Sequence, residues 1–221
     1  MTYSKDADVG QQIRQHLVSQ GVETPFTPKK INRARLQDLF TQMMEEVGLD
    51  LADDSLMETP RRLAKLYSDQ EYFAGLDYDN FPTATVVDNK MSYDEMLVER
   101  DVTVNSLCEH HFLPIVGSAY VAYLPEKKVL GLSKINRIVD FFCRRPQIQE
   151  RLVLQIYYAM SFLLETPNVA VVIQAEHMCV KTRGVEDACS DTVSSKLGGV
   201  FKKPEVRAEF FTLAQGLTGR G

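Results

Sequence analysis

The chain has 221 residues, of which 44% are hydrophobic and 25% are charged, and its formal net charge is −5. These values are typical of a folded globular protein with one ordinary domain and an extension. The negative charge argues against non-specific binding of nucleic acid, which needs a basic surface. The sequence has neither an apolar run of the roughly 20 residues that span a bilayer nor a signal-peptide pattern at its start. We therefore expect a cytoplasmic protein that binds neither nucleic acid nor membrane.

The first part of the chain is predicted to be a helical N-terminal extension over residues 1–80, followed by a main domain over residues 81–221. Apolar side chains recur at helical spacing over residues 36–47, and the pair Thr59-Pro60 opens a further helix. The predicted helices cover residues 8–20, 36–47 and 59–72.

Strands and helices are predicted in pairs in the main domain. Alternation of apolar and polar residues and runs of β-forming residues indicate four strands. The predicted strands cover residues 98–105, 116–125, 168–180 and 206–215. Between the second and third strands, Ser133 is expected to cap one helix and Pro146 to open another. This order predicts an α+β domain whose antiparallel sheet carries both helices on one face. Its two open edges predict an oligomer, because such edges pair readily.

Two short motifs hold most of the potential metal ligands. CEHH at 108–111 and EHMC at 176–179 contain two of the four cysteines and three of the four histidines. Cys108 and His111 can reach one metal only if the chain turns between them. His177 and Cys179 are two residues apart at a predicted strand end, so they are expected to project to the same side.

A set made of Cys108, His111 and Cys179 would give two thiolates and one imidazole. Zinc favours these ligands, and three protein ligands with a fourth position open are typical of catalytic sites. His110 and His177 would then be placed to move protons beside a metal-bound water. The alternative interpretation is that these cysteines, like the other two in the chain, only fill space in the core or in loops.

Basic and acidic side chains near these motifs suggest a phosphorylated substrate. GLSKINR places Ser133, Lys134 and Arg137 at a predicted helix start, where free N–H groups favour a phosphate, and Arg183 follows the second motif. Taken singly, each cation is better explained as a solvated surface charge. Glu150 can accept two parallel hydrogen bonds from the edge of guanine, although an acidic residue near a helix start is also favoured by the helix dipole.

Several motifs in one order resemble those of a known family. CEHHF, GLSKINRIV, RRPQIQERL, EHMCVKTRG and SSKLGGVFK, with LADDSLMETPRR near residue 60, resemble zinc-dependent GTP cyclohydrolase I over residues 31–210. The resemblance implies the tunnelling fold, in which strand-strand-helix-helix-strand-strand units join edge to edge into a barrel. It also implies a homodecamer of two pentamers with active sites between subunits. The implied reaction converts GTP and water into dihydroneopterin triphosphate and formate, the first step of tetrahydrofolate and pterin biosynthesis.

The same resemblance implies a role for each site residue. A zinc ion held by Cys108, His111 and Cys179 would make hydroxide available for attack on C8 of guanine. His110 would protonate the ring nitrogen, and His177 would shuttle protons in later steps. The residues implied to bind the guanine, ribose and triphosphate are Gln149, Glu150, Ser133, Lys134, Arg137, Arg183, Arg62 and Lys65.

Two rival functions are weighed against this one. Another tunnelling-fold enzyme, such as the queuosine-pathway nitrile reductase, needs a cysteine nucleophile and a nicotinamide cofactor, whereas the paired motifs suit a metal better. A zinc- and nucleotide-binding protein without turnover would need neither His110 nor His177. Replacing His110 with alanine separates these alternatives, because only an enzyme would lose turnover while it keeps its zinc.

Overall fold

The computed structural model describes residues 3–68 and 71–215. Its helices are α1 (Ala7–Ser19), α2 (Arg33–Glu46), α3 (Thr59–Leu66), α4 (Leu132–Cys143), α5 (Gln149–Leu164), α6 (Met178–Lys181) and α7 (Pro204–Gln215). Its strands are β1 (Val86–Asp88), β2 (Leu97–Cys108), β3 (Pro114–Tyr123), β4 (Lys128–Leu130), β5 (Pro146–Gln147), β6 (Val169–His177) and β7 (Thr192–Leu197). Short 3-10 helices lie at Ala74–Leu76, Tyr78–Asn80 and Gly199–Lys202. None of the described helices is long and apolar enough to cross a membrane.

The main sheet has five strands in the order β5-β2-β3-β6-β7. Its four long strands pair antiparallel, and the two-residue β5 pairs parallel with the end of β2. β1 and β4 form a separate two-stranded ribbon. In the described part of the chain, most of β2 and all of β7 have no hydrogen-bonded strand on their outer sides. The predicted order of paired strands and helices and the two open edges are therefore confirmed.

The main core lies between this sheet and helices α4 and α5. Successive side chains of a strand point to opposite faces. On β6, Val171 belongs to the cluster that contains Ile156 of α5. Its neighbour Val172 belongs to a second cluster with Phe210 of α7. Both central helices thus cover one face, as predicted, and the C-terminal helix covers part of the other.

The first helix shares the main core. Ile13 and Leu17 of α1 are fully buried in the same cluster as the central strands, and α1 packs against α5. α2 packs mainly against α3. The predicted boundary near residue 80 stays a prediction, but α1 is held by the same apolar packing that stabilises the sheet.

A buried arginine joins the N-terminal segment to the core. Arg145 is fully buried between α4 and β5, and its guanidinium lies over the rings of Tyr78, Phe141 and Phe142. It forms an ion pair with Glu23 at 3.1 Å and donates a hydrogen bond to the Tyr78 hydroxyl at 3.1 Å. A further hydrogen bond goes to the backbone carbonyl of Gly75. Because a charge is tolerated in the interior only when it is paired, these contacts are essential to the local packing.

Two predicted helix starts are wrong. α4 begins at Leu132 with Gly131 as its N-cap, so Ser133 lies inside the first turn and makes no capping bond. β4 ends at Leu130, so Gly131 directly joins the strand to the helix that it caps. Pro146 lies in β5, paired with Leu107, and the next helix begins at Gln149. Proline fits this position because a short strand at a sheet edge does not need its missing N–H.

The predicted last strand is a helix. Val206, Phe210 and Ala214 recur every fourth residue, and they form the face of α7 that packs on the sheet. Pro204 occupies the first helical position, which suits its fixed backbone angle. The antiparallel partner of β6 is instead β7, which lies earlier in the chain. The third N-terminal helix is also shorter than predicted, since α3 ends at Leu66.

Replacing Arg145 with methionine is expected to lower the free energy of unfolding by about 3–5 kcal/mol, because the largely buried Glu23 carboxylate would lose its cationic partner. The matched control is Arg144→Met. Arg144 is partly exposed and pairs with Asp140 at 2.9 Å, so its loss should cost about 1 kcal/mol or less. Urea unfolding at one fixed protein concentration measures both variants. Equal losses would contradict the role given to Arg145.

Candidate active site

The first motif occupies a tight turn between β2 and β3. The Cys108 amide donates to the Leu113 carbonyl at 2.8 Å, and the Phe112 amide donates back to the Cys108 carbonyl at 2.9 Å. Phe112 adopts a left-handed backbone conformation, with φ of 53°, which lets the chain reverse within a few residues. The turn that the spacing of Cys108 and His111 requires is therefore present.

The second motif begins where β6 ends. Cys179 lies in the short helix α6, so the prediction that it follows the geometry of a strand is wrong. Ile115 of β3 pairs with His177, which places the end of β6 beside the first turn. The ligand atoms of Cys108, His111 and Cys179 all lie within 4.8 Å of one another. Among the described residues, this is the one convergent group of three or more His, Cys, Asp or Glu side chains.

Two of these three candidate ligands are thiols, and they lie close together. Burial, together with the nearby Cys108 thiol, raises the pKa of Cys179. A divalent cation would offset the repulsion between two thiolates, and metal binding requires the thiolate form. In a tetrahedral zinc site with bonds of about 2.3 Å, ligand atoms lie roughly 3.8 Å apart, so only small side-chain movements are needed. The residues present therefore fit a zinc ion with an open fourth position.

His110 lies beside this group on the exposed side of the turn. Its Nδ1 is 3.7 Å from the Cys108 sulfur, and 64% of its side chain is exposed. Its Nε2 is 3.9 Å from a carboxylate oxygen of Glu109. Glu109 in turn forms a two-pronged ion pair with Arg151 of α5, with one contact at 3.3 Å. This pair, which no sequence pattern signals, fastens the turn to the helix.

His177 is partly buried at the end of β6. Burial lowers its pKa, and the nearby Glu150 carboxylate acts in the opposite direction. Its Nε2 lies 2.8 Å from the side-chain oxygen of Gln149. Gln149 is only 2% exposed, and its amide nitrogen also bonds within the protein, so its side chain offers no free group to guanine. Glu150, the next residue, is exposed in the first turn of α5.

The structure brings one of the predicted phosphate-binding cations to the group formed by Cys108, His111 and Cys179, called the metal group below. A guanidinium nitrogen of Arg183 contacts Nε2 of His111. Ser133, Lys134 and Arg137 lie instead in the first half of α4, and Arg137 packs over the ring of Tyr3 at 5.5 Å. No contact between these three residues and the metal group is found in the described part of the chain.

The end of α3 reaches the turn that carries the first motif, although the predicted phosphate ligands of α3 do not. The Tyr67 hydroxyl donates to the Phe112 carbonyl at 3.3 Å, and the ring of Phe73 packs against that of Phe112. Arg62 and Lys65 are exposed on the same helix, and neither contacts the metal group within the described residues. The helical N-terminal segment therefore borders the site through aromatic packing.

The antiparallel sheet with two helices on one face, and the Cys-His-Cys group at its end, define an α+β protein with a convergent group that could hold a metal ion. The chain belongs to the GTP cyclohydrolase I family, whose family model matches residues 36–215. It is therefore an enzyme of that kind, and the predicted tunnelling fold is confirmed.

Relatives match nearly the whole chain. A GTP cyclohydrolase 1 from Shewanella amazonensis is 53% identical over 209 residues, which cover 92% of this chain and 96% of the relative. The protein of that name from Yersinia enterocolitica is 51% identical over 212 residues, 94% of each chain. The one from Shewanella denitrificans is 51% identical over 214 residues, 95% of this chain and 98% of the relative.

Removing either thiol of the convergent group is expected to weaken zinc binding strongly. Loss of a residue that only hydrogen-bonds to a metal ligand lowers metal affinity by roughly 10–100-fold. The zinc affinity of Cys108→Ser and of Cys179→Ser should fall by more than that, because a ligand itself is removed. Competition with a coloured chelator measures the affinity, and elemental analysis gives the zinc content. The matched control is Cys189→Ser, because Cys189 is exposed and outside the group. Full zinc affinity in Cys108→Ser would rule out the ligand set.

Proposed function

We propose that Cys108, His111 and Cys179 hold a zinc ion at which the chain converts GTP and water into dihydroneopterin triphosphate and formate. The convergence of the three ligand atoms beside two histidines, in a chain of the GTP cyclohydrolase I family, carries this proposal. The zinc ion would supply a Lewis acid that brings the pKa of water close to neutral. A cytoplasmic location is proposed with it, because the thiolates need reducing conditions and all four cysteines are free.

His110 would deliver a proton to the imidazole nitrogen of guanine as the ring opens. Its exposed ring lies directly beside the ligand Cys108, where the substrate base has to approach the metal. Glu109 lies near its Nε2 and pairs with Arg151, so the ring sits on a turn that is tied to α5. A positioned acid of this kind contributes through proton transfer in the transition state.

His177 would move protons in the later steps of ring opening and reclosure. It lies at the end of β6, two residues before Cys179, so the two histidines adjoin the ligands from different motifs. Because the two histidines lie on different elements, each can transfer protons in a different step of the reaction.

Glu150 would recognise guanine, and cations near the metal would bind the triphosphate. Glu150 is exposed next to the residue that holds His177, and its carboxylate can accept from N1–H and the 2-amino group together. Arg183, in contact with His111, would bind phosphate oxygens. The buried side chain of Gln149 is left out of substrate binding.

The remaining cations would come from a neighbouring subunit. α4 is 12 residues long, which corresponds to about 18 Å, and only its C-terminal end reaches the end of β2, where Ser106 bonds to the Cys143 carbonyl at 2.8 Å. Ser133, Lys134 and Arg137 lie towards the opposite end of this helix. We therefore propose a homo-oligomer, a decamer of two pentamers, in which open sheet edges join and one subunit completes the site of the next.

Exposed groups on α2 and α3 support the same assembly. Leu39 and Met43 of α2 and Val47 at its C-cap are exposed in the single chain, and a second copy would cover them. Arg62 and Lys65 on the adjoining α3 would then join the phosphate site of that copy. The mass of the protein in solution checks the assembly directly.

Purified protein is expected to release formate in step with pteridine from GTP, and a strong zinc chelator should abolish both. The variant His110→Ala should lower kcat by about 10²–10⁴-fold while zinc content stays unchanged, because only a proton-transfer group is lost. Fluorescence of the pteridine and an enzymatic formate assay give the rates.

Two outcomes would contradict the proposal. Absence of turnover from a folded, zinc-loaded oligomer would favour a zinc- and nucleotide-binding protein, for which GTP binding without product is the expected result. Full activity of His110→Ala would remove that residue from the chemistry. Loss of zinc in this variant would show that His110 is a ligand instead.

Replacing Glu150 with glutamine is expected to reduce the preference for GTP over inosine triphosphate, which lacks the 2-amino group, by about 10–100-fold in kcat/KM. A carboxylate can accept hydrogen bonds from N1–H and from the 2-amino group through its two oxygens. The amide of glutamine has only one accepting oxygen, so it cannot bind both groups in this way. The matched control is Glu165→Gln at the far end of the same helix, which should leave the preference unchanged. An unaltered preference in Glu150→Gln would exclude Glu150 as the guanine ligand.

A further inference from the structure

Gln149 is a buried amide whose nitrogen and oxygen both have polar partners within the protein. Its Nε2 lies 3.0 Å from the Ile173 carbonyl, 2.9 Å from the Thr192 carbonyl and 2.9 Å from the Ser194 hydroxyl. Its Oε1 lies 2.8 Å from Nε2 of His177. The side chain thus joins the start of α5 to both β6 and β7 and to one proton-transfer histidine.

These contacts fix the orientation of the amide. Two of the partners of Nε2 are backbone carbonyl oxygens, which can only accept hydrogen bonds. If the amide were rotated by 180°, its oxygen would face both carbonyls, and a buried repulsion would replace two hydrogen bonds. Oε1 of Gln149 must therefore point at His177.

The orientation of the amide determines which nitrogen of His177 carries hydrogen. Oε1 of Gln149 can only accept, so Nε2 of His177 must donate. In the neutral imidazole the lone pair then lies on Nδ1. In the part of the chain that the structure describes, no second side chain hydrogen-bonds to this ring, so Gln149 alone sets its tautomer and tilt.

We propose that Gln149 is a positioning residue that holds His177 as the Nε2–H tautomer, so that Nδ1 is the atom that exchanges protons with the substrate. The proposal rests on the role of His177 given above. It replaces the expectation that the Gln149 side chain binds guanine, because no polar atom of this buried amide is free. It also explains why a glutamine lies at this helix start, since a glutamate would place negative charge against two carbonyl oxygens.

The tautomer can be measured without any change at Gln149. The chain has four histidines, so selective ¹⁵N labelling of histidine gives a simple solid-state NMR spectrum of the zinc-loaded oligomer. The signals that vanish in His177→Ala belong to His177. The expected result is a protonated Nε2 and a bare Nδ1. A protonated Nδ1 with a bare Nε2 would overturn the proposal.

Kinetics then separate positioning from guanine binding. The variant Gln149→Met, of similar size, should lower kcat by about 10–100-fold and leave KM for GTP nearly unchanged, because the base remains but is misaligned. A rise in KM with kcat preserved would assign Gln149 to substrate binding and overturn the proposal. Gln155→Met is the matched control. Gln155 is a second fully buried glutamine of α5, bonded to Gln147 and to the Val22 carbonyl, remote from His177.

The control distinguishes a specific effect from a general loss of packing. Both variants remove a buried amide from one helix, so both should lower the unfolding midpoint, but only Gln149→Met should lower kcat. Equal losses of kcat in the two variants would show that Gln149 acts only through stability and would overturn the proposal. If Gln149→Met does not fold, the NMR measurement decides alone.

A double variant tests whether Gln149 acts through His177. Adding Gln149→Met to His177→Ala should cause no further loss of kcat, because the group being positioned is already absent. A further loss equal to that of Gln149→Met alone would overturn the proposal. Full activity of His177→Ala would instead refute the function given to His177, and the NMR result would still decide the tautomer.

Discussion

The register of the antiparallel sheet decides whether the metal-binding side chains meet. β3 pairs with β2 on one side, with Leu107 opposite Pro114, and with β6 on the other, with Ile115 opposite His177. The ends of β2 and β6 therefore flank the start of β3. A slip of one residue would turn each strand over and separate Cys108 from the second motif. The buried apolar faces of these strands prevent such a slip, so the site depends on the packing of the core.

The segment between α4 and α5, together with the first turn of α5, connects that core to both motifs. The Gln147 carbonyl accepts a hydrogen bond from the Glu109 amide at 3.0 Å, and Arg151 pairs with the same residue through its side chain. Gln149 reaches the second motif at His177. Arg145, at the start of the segment, is fully buried. Because an unpaired buried polar group is costly, this run of polar residues keeps the helices and both motifs in one arrangement.

Local patterns allowed much of the fold and the ligand set to be predicted, but not the contacts that depend on distant parts of the chain. CEHH and EHMC indicate metal binding by composition alone. Gln149 and Glu150 are neighbours in one helical turn, and a rotation of about 100° per residue sends one inward and the other outward. Which of the two side chains points inward depends on the positions of β6 and β7, and the local sequence does not determine those positions. The same holds for α7, whose apolar residues Phe210 and Phe211 suit a strand as well as a helix.

The exposure of the site in a single chain has a physical consequence for its chemistry. His110 and His111 face solvent, and only Arg183 among the predicted phosphate ligands reaches the metal group. Hydrogen bonds and charges act strongly on a transition state only where water is largely excluded. A second copy joined at the open edges would both exclude water and bring the cations of α4. Assembly and catalysis would then share one interface, which would account for open sheet edges and a solvent-exposed group of possible metal ligands in the same chain.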